Sequence, residues 1–254
     1  MSWRSPTLLD RRMIAAIQAS DPLGRPIDGG VEAEAVGARF FTKPDGTVIL
    51  QSWSRLEGFD AAFENQPSSP AIGSRTLDLL ITPRSGAVMS RRATISLPRD
   101  PDPANATNAN SLFRAVTITM PASASIKVPG QACCLLAGVV RNTDDAPVAG
   151  AVLRLTSDAN PQLTTLGITN RQGEALLLVA GLPLAEVGAG AALIEDHKAT
   201  LELFVDPDAI DTDGRDAKPL NPDAIVAAGP AAASAPVKLR SRKTMRANLR
   251  WTPP

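Results

Sequence analysis

Met13-Ile14-Ala15-Ala16-Ile17-Gln18-Ala19-Ser20 returns later in the chain as Leu135-Leu136-Ala137-Gly138-Val139-Val140-Arg141-Asn142. Pro26-Ile27-Asp28-Gly29-Gly30 returns as Pro147-Val148-Ala149-Gly150-Ala151, and Thr42-Lys43-Pro44-Asp45-Gly46 as Thr169-Asn170-Arg171-Gln172-Gly173. Thr76-Leu77-Asp78-Leu79-Leu80-Ile81 returns as Thr200-Leu201-Glu202-Leu203-Phe204-Val205, and a proline follows two residues later in both (Pro83, Pro207). Four blocks recur in one order at a nearly constant offset. That is the signature of a duplicated domain.

The repeated blocks alternate with period two. Met13, Ala15 and Ile17 share one face, Leu77, Leu79 and Ile81 another, and Leu201, Leu203 and Val205 its counterpart. Residues 31–35 read Val-Glu-Ala-Glu-Ala, apolar in and charged out. Such alternation predicts half-buried strands. The 22 Pro and 18 Gly punctuate the chain too often for long helices. A helical turn is expected only around Gly58–Glu64. Gly46 and Gly173 are placed to close short hairpins with a positive φ. After Pro26 and Pro147 the spacing to the next strand differs by about one residue, which predicts a β-bulge in one copy. Leu112–Met120 reads as the last strand of the first copy, and Val237–Trp251 corresponds to it by position. Asp206–Ser234 is longer and looser than its counterpart. The two units are expected at residues 8–120 and 130–250, joined by a short linker at Pro121–Gly130.

Composition excludes several classes. Lys+Arg and Asp+Glu both number 26, so there is no basic excess to suggest nucleic-acid binding. No apolar run approaches the roughly 20 residues of a spanning helix. The N-terminus lacks a basic region followed by an apolar stretch, so the expectation is a cytoplasmic protein, or part of a particle assembled there. Cys133 and Cys134 are adjacent and point to opposite faces of a strand. They read as small buried hydrophobes, with no disulfide-linked partner.

The run Pro147–Leu155, followed by Thr169–Leu177 and by Gly181-Leu182-Pro183, resembles the carboxypeptidase regulatory-like family. The first copy matches more loosely, through Arg25–Gly30 and Thr42–Ile49. The resemblance covers the front half of each copy. It implies an all-β protein of two tandem antiparallel Ig-like, transthyretin-like β-sandwiches, and domains that serve as spacers, supports and adaptors. Leu97-Pro98-Arg99-Asp100-Pro101-Asp102-Pro103 with Ser111-Leu112-Phe113-Arg114 resembles accessory proteins of phage-tail-like contractile injection particles.

Few residues suggest chemistry. The single histidine, His197, has no nucleophile motif around it and reads as an exposed loop residue. No catalytic residue and no cofactor site is assigned, and the expectation is a protein that is not an enzyme. Asp206, Asp208, Asp211, Asp213 and Asp216 crowd around Gly214, and short acidic side chains on a turning backbone can supply oxygen ligands to calcium. The other reading is a solvated acidic loop facing the basic tail. Lys238, Arg240 and Arg242 alternate and would share one strand face, either guarding a sheet edge or docking a partner. Trp53 reads as core. Trp3 and Trp251, near the termini, are candidate anchors for a partner protein. These features point to a structural or adaptor subunit that contacts other protein subunits through Trp3, Lys238, Arg240, Arg242 and Trp251. The alternative is a ligand- or glycan-binding module, calcium-stabilised at the acidic loop.

Overall fold

A computed structural model describes residues 13–57, 69–126, 133–179, 196–210, 218–240 and 243–253. The expected helical turn at Gly58–Glu64 lies outside them. Among the described residues seven strands come from the first half of the chain: β1 (Ala15–Ser20), β2 (Val31–Glu34), β3 (Ala38–Thr42), β4 (Val48–Trp53), β5 (Arg75–Pro83), β6 (Arg91–Leu97) and β7 (Val116–Thr119). Seven come from the second: β8 (Cys133–Arg141), β9 (Val152–Ser157), β10 (Thr164–Ile168), β11 (Glu174–Val179), β12 (Asp196–Phe204), β13 (Ala233–Arg240) and β14 (Thr244–Trp251). One α-helix among the described residues, α1 (Pro222–Ala228), interrupts the second set.

The protein is all-β, and its two halves repeat one plan. Sheet β3-β4-β1-β7 lies over β2-β5-β6, and β11-β8-β14 lies over β10-β9-β12-β13. Ala15 and Ile17 of β1 and Leu77, Leu79 and Ile81 of β5 point into one core. Ala137 and Val139 of β8 and Leu201 and Leu203 of β12 point into the other. These are the stripes that the alternation predicts, and each fully buried large aliphatic side chain among them contributes roughly 1.5–3 kcal/mol. Neighbouring strands pair antiparallel, except that first and last strands pair parallel, Ile17 opposite Val116 and Ala137 opposite Ala247. The strands of such a pair stand at opposite ends of their half, so no hairpin turn forces them antiparallel.

The turns repeat too. The Lys43 amide donates to the Thr47 carbonyl at 2.9 Å, and the Asn170 amide to the Glu174 carbonyl at 2.9 Å. Gly46 and Gly173 sit at φ +83° and +71°.

Three expectations need correction. The spacing difference after the two prolines is not a bulge. Glu34, eight residues past Pro26, pairs with Leu80, whereas Val152, five past Pro147, pairs with Phe204. Both ladders run without a register shift, and the extra length forms a turn at Gly29 and Gly30, both at positive φ. The one break in register in these sheets falls between Arg39 and Phe40. Second, residues 237–240 belong to β13, the counterpart of β6, and only Thr244–Trp251 matches β7. Third, Leu112 lies in the loop before β7, which starts at Val116.

The copies differ at the third strand. β3 pairs with β4, but its counterpart β10 pairs with β9 in the opposite sheet. Three residues separate β2 from β3, and there the Ser54 amide bonds the Gly37 carbonyl at 2.9 Å, steering the chain toward β4. The longer loop after β9 lets β10 fold straight back as a hairpin, with Thr164 opposite Thr156.

The two hairpin glycines test this account. Both need the left-handed conformation, but a Cβ on Gly46 meets open space while one on Gly173 would lie 2.4 Å from the Val139 carbonyl oxygen. Gly46→Ala is expected to cost about 1–2 kcal/mol, the price of the backbone conformation alone. Gly173→Ala should cost distinctly more, and paired thermal melts read the difference.

Candidate functional site

The basic tail is folded into its sheet. Arg240 donates through Nε to the Asp196 carboxylate at 2.6 Å, and the Lys238 ammonium lies 3.8 Å from the same group. Among the described residues β13 ends its sheet, so these cations line an edge strand. The hydrogen bond from Arg240, aided by the charges of Arg240 and Lys238, holds the Asp196 carboxyl below its ordinary range. Arg242 and Trp3 lie outside the described residues. Trp251 is no surface anchor. The alternation of β14 turns it inward with Leu249, and it is buried in the second core.

Of the acidic loop, Asp211, Asp213 and Asp216 lie outside the described residues. Asp206 turns its carboxylate onto the Asp208 amide at 3.1 Å, an Asx turn that engages one oxygen locally. His197 is buried on β12, opposite Leu239, and not exposed in a loop as expected. Cys133 faces the second core and Cys134 the opposite side of its sheet. Burial raises the Cys134 thiol pKa, which a hydrogen bond with Thr244 at 3.1 Å partly offsets.

The polar groups that the fold does gather stand where the halves meet. The long segment after β12 leaves the second half and reaches β6 of the first. Leu220 offers its carbonyl to the Arg92 amide at 2.7 Å, and Asn221 donates through Nδ2 to the Thr94 hydroxyl at 3.0 Å. Asn221 also accepts from the Ala224 amide at 3.3 Å, capping α1, with Pro222 in the first turn. The outer edge of β6, a row of groups that must find partners, is thereby capped.

Arg91 completes the joint. Its side chain is only 3% exposed. It donates to the Thr119 carbonyl at 2.7 Å, to the Arg92 carbonyl at 3.1 Å and to the Asp223 carboxylate. One guanidinium therefore ties β6, β7 and α1 together, as a planar fork of donors can. Two apolar seams flank it. Met89 packs with Val152, Ile168, Phe204 and Leu220, and Leu23 and Ala122 pack with Cys134, Leu176 and Leu178. Leu176 and Leu178 belong to a run buried on both faces of β11. Between the seams opens a cleft of about 430 Å³, bordered by β6, β7, β10 and Asp223.

A second built feature lies between β6 and β7. Their counterparts β13 and β14 are joined by a short connection, but here residues 98–115 intervene. Arg99, 7% exposed, donates to the carbonyls of Ala109 at 2.7 Å and Ser111 at 2.9 Å. Desolvation, then the nearby Arg114 charge, lowers its pKa. Asp100 accepts from the Asp102 amide at 3.0 Å and from Asn105 at 2.8 Å. The loop is thus tied from inside, and it holds Phe113 outward, 58% exposed. Nothing local in the sequence told that Arg99 would be the buried centre of this loop.

No helix among the described residues is long and apolar enough to cross a membrane. Among those residues no cluster of His, Cys, Asp or Glu could hold a metal ion.

No protein-family model matches the chain, and no curated protein matches it. Among solved structures it is similar to GBS52, the minor pilin of the Gram-positive pathogen Streptococcus agalactiae, at 11% identity and a TM-score of 0.29. That match covers 83% of this chain and 66% of the pilin chain.

Two measurements probe these sites. Arg99→Met leaves buried carbonyls without their donor and is expected to cost about 2–3 kcal/mol. Hydrogen exchange should quicken at the Asp100 and Leu112 amides while the β1–β4 ladder stays protected. The second concerns acid. Because the folded pKa of Asp196 is depressed, its stabilising contribution is present above the unfolded value and is lost as pH falls through the folded one. Asp196→Asn should melt slightly below the wild type near pH 7, and the gap should close below about pH 4.

Proposed function

We propose that this protein is a structural or adaptor subunit of a larger protein assembly, holding its neighbours at a fixed spacing. The observation that carries the reading is the joint. The second half caps an edge strand of the first, Arg91 bridges them, and apolar seams close on either side. Two sandwiches locked in this way set a distance and an angle, which is what a scaffold supplies. The contact surface that fits this role is the Arg99-tied loop with its exposed Phe113, because a rigid frame presents a side chain at little entropic cost on binding. Such a subunit needs no catalytic group.

The finer form of the proposal is an accessory subunit of a phage-tail-like contractile particle. It is supported by the resemblance of Leu97–Pro103 and Ser111–Arg114, the segments that build this loop. The resemblance of the repeated unit to carboxypeptidase regulatory-like domains supports the spacer role in the same way.

Velocity sedimentation of gently lysed native cells tests the assembly role. The protein should travel in a complex far larger than its own 26.6 kDa. Phe113→Asp, an exposed substitution expected to leave the melting temperature within about 1 °C, should release it to light fractions. Wild-type protein found in the light fractions at native abundance defeats the proposal.

A further inference from the structure

The cleft between the halves has walls of an unusual kind. Val116, Thr117, Ile118 and Thr119 of β7 all border it, and so do Thr164, Thr165 and Leu166 of β10. Side chains of successive strand residues point to opposite faces. Consecutive residues can all border one space only if the strand presents its backbone edge to that space. Among the described residues both strands are outermost in their sheets, β7 paired only with β1 and β10 only with β9. Peptide groups on their outer sides therefore face the cleft. The cleft's two charged groups, Arg91 and Asp223, are spent on each other. Half-buried Val116 and Leu166 add an apolar lining.

Two backbone edges, a neutral interior and an apolar lining describe a slot for one more strand. From a rise of about 3.3 Å, a strand spacing of about 4.8 Å and a sheet spacing of about 10 Å, one residue of sheet fills roughly 160 Å³. The cleft, at about 430 Å³, takes about three residues of an uncharged extended segment.

The chain carries such a segment. Ser5-Pro6-Thr7-Leu8-Leu9 is an uncharged run bounded by Arg4 and Asp10, and it precedes Met13, where β1 is about to begin. The twelve residues before Met13 reach at most about 40 Å when extended, and they leave from the sheet that carries the open β7 edge.

We propose that the cleft is a strand-acceptor site, and that it takes about three residues of the Ser5–Leu9 run of a second copy of this chain by strand addition along β7. Each copy offers one arm and one slot, so the contact can be exchanged reciprocally in a closed pair or passed head-to-tail along an array. The proposal deepens the assembly role above and rests on it for its purpose.

Disulfide trapping on the purified full chain tests it. A Leu8→Cys variant mixed with a Thr117→Cys variant under mild oxidation should yield a cross-linked dimer of one with the other. A Thr107→Cys variant, remote from the cleft, should not replace the second partner. Analytical ultracentrifugation should show concentration-dependent growth of the unmodified chain, reduced at least tenfold in association constant by Leu8→Asp at an unchanged melting temperature. Absence of the mixed dimer overturns the proposal. So does a disulfide formed only within one chain when both cysteines are present, which would seat the arm in its own cleft. Self-association unchanged by Leu8→Asp overturns it as well. A large native complex without this cross-link removes the arm and leaves the assembly role standing. The cross-link without a native complex does the reverse.

Discussion

The outer edge of β6 is the constraint on which the arrangement of this molecule turns. A sheet edge leaves amides and carbonyls that must find partners or water. In the first half the Arg92 amide is satisfied by Leu220, a residue of the other half. Once that contact forms, α1 stands over β6, Asp223 meets Arg91, and Arg91 can remain buried because each of its three guanidinium nitrogens has an acceptor. Met89 then finds its apolar neighbours across the joint. Remove the capping segment and a buried guanidinium loses its counter-ion while an edge amide loses its acceptor.

The duplication explains the cores, and the departures from it explain the rest. Each half keeps the same inward stripes and hairpin glycines. Each also carries a long segment that is far shorter in the other: residues 98–115 between β6 and β7, and the segment from Val205 to Ala232 between β12 and β13. The first builds a rigid loop around Arg99. The second reaches across to cap β6. The changed partner of β10 is a third departure, and it places an open edge beside the joint. The features that set this protein apart from a plain pair of sandwiches all stand at positions where the repeat breaks.

That division also governs what could be read in advance. The stripes of β1, β5 and β12 were legible because an exposed–buried alternation leaves a period in the sequence. β11 was less so, since Leu176 and Leu178 are apolar on a face that Leu23, Ala122 and Ile126 of the other half cover. Trp251 near the chain's end suggested a surface anchor, but the register of β14 turns it inward. His197, expected in a loop, lies on a buried strand position. Lys238 and Arg240 both meet Asp196, which lies on a neighbouring strand that no local pattern connects to them. The candidate sites were hardest to see. Arg91 and Arg99 carry no motif, and their roles follow from carbonyls and carboxylates contributed by other segments.

By itself, then, the sequence determined the all-β class, the two-fold repetition, the inward faces and the glycines at the hairpins. Side-chain period and backbone dihedral preference are properties of short stretches, and short stretches record them. Only the tertiary structure decided which sheet β10 joins, where the segment after β12 lands, which arginines are buried and what lines the cleft. Those outcomes depend on loop length and on unpaired groups finding partners far along the chain, and a linear pattern holds no trace of a partner that arrives through space.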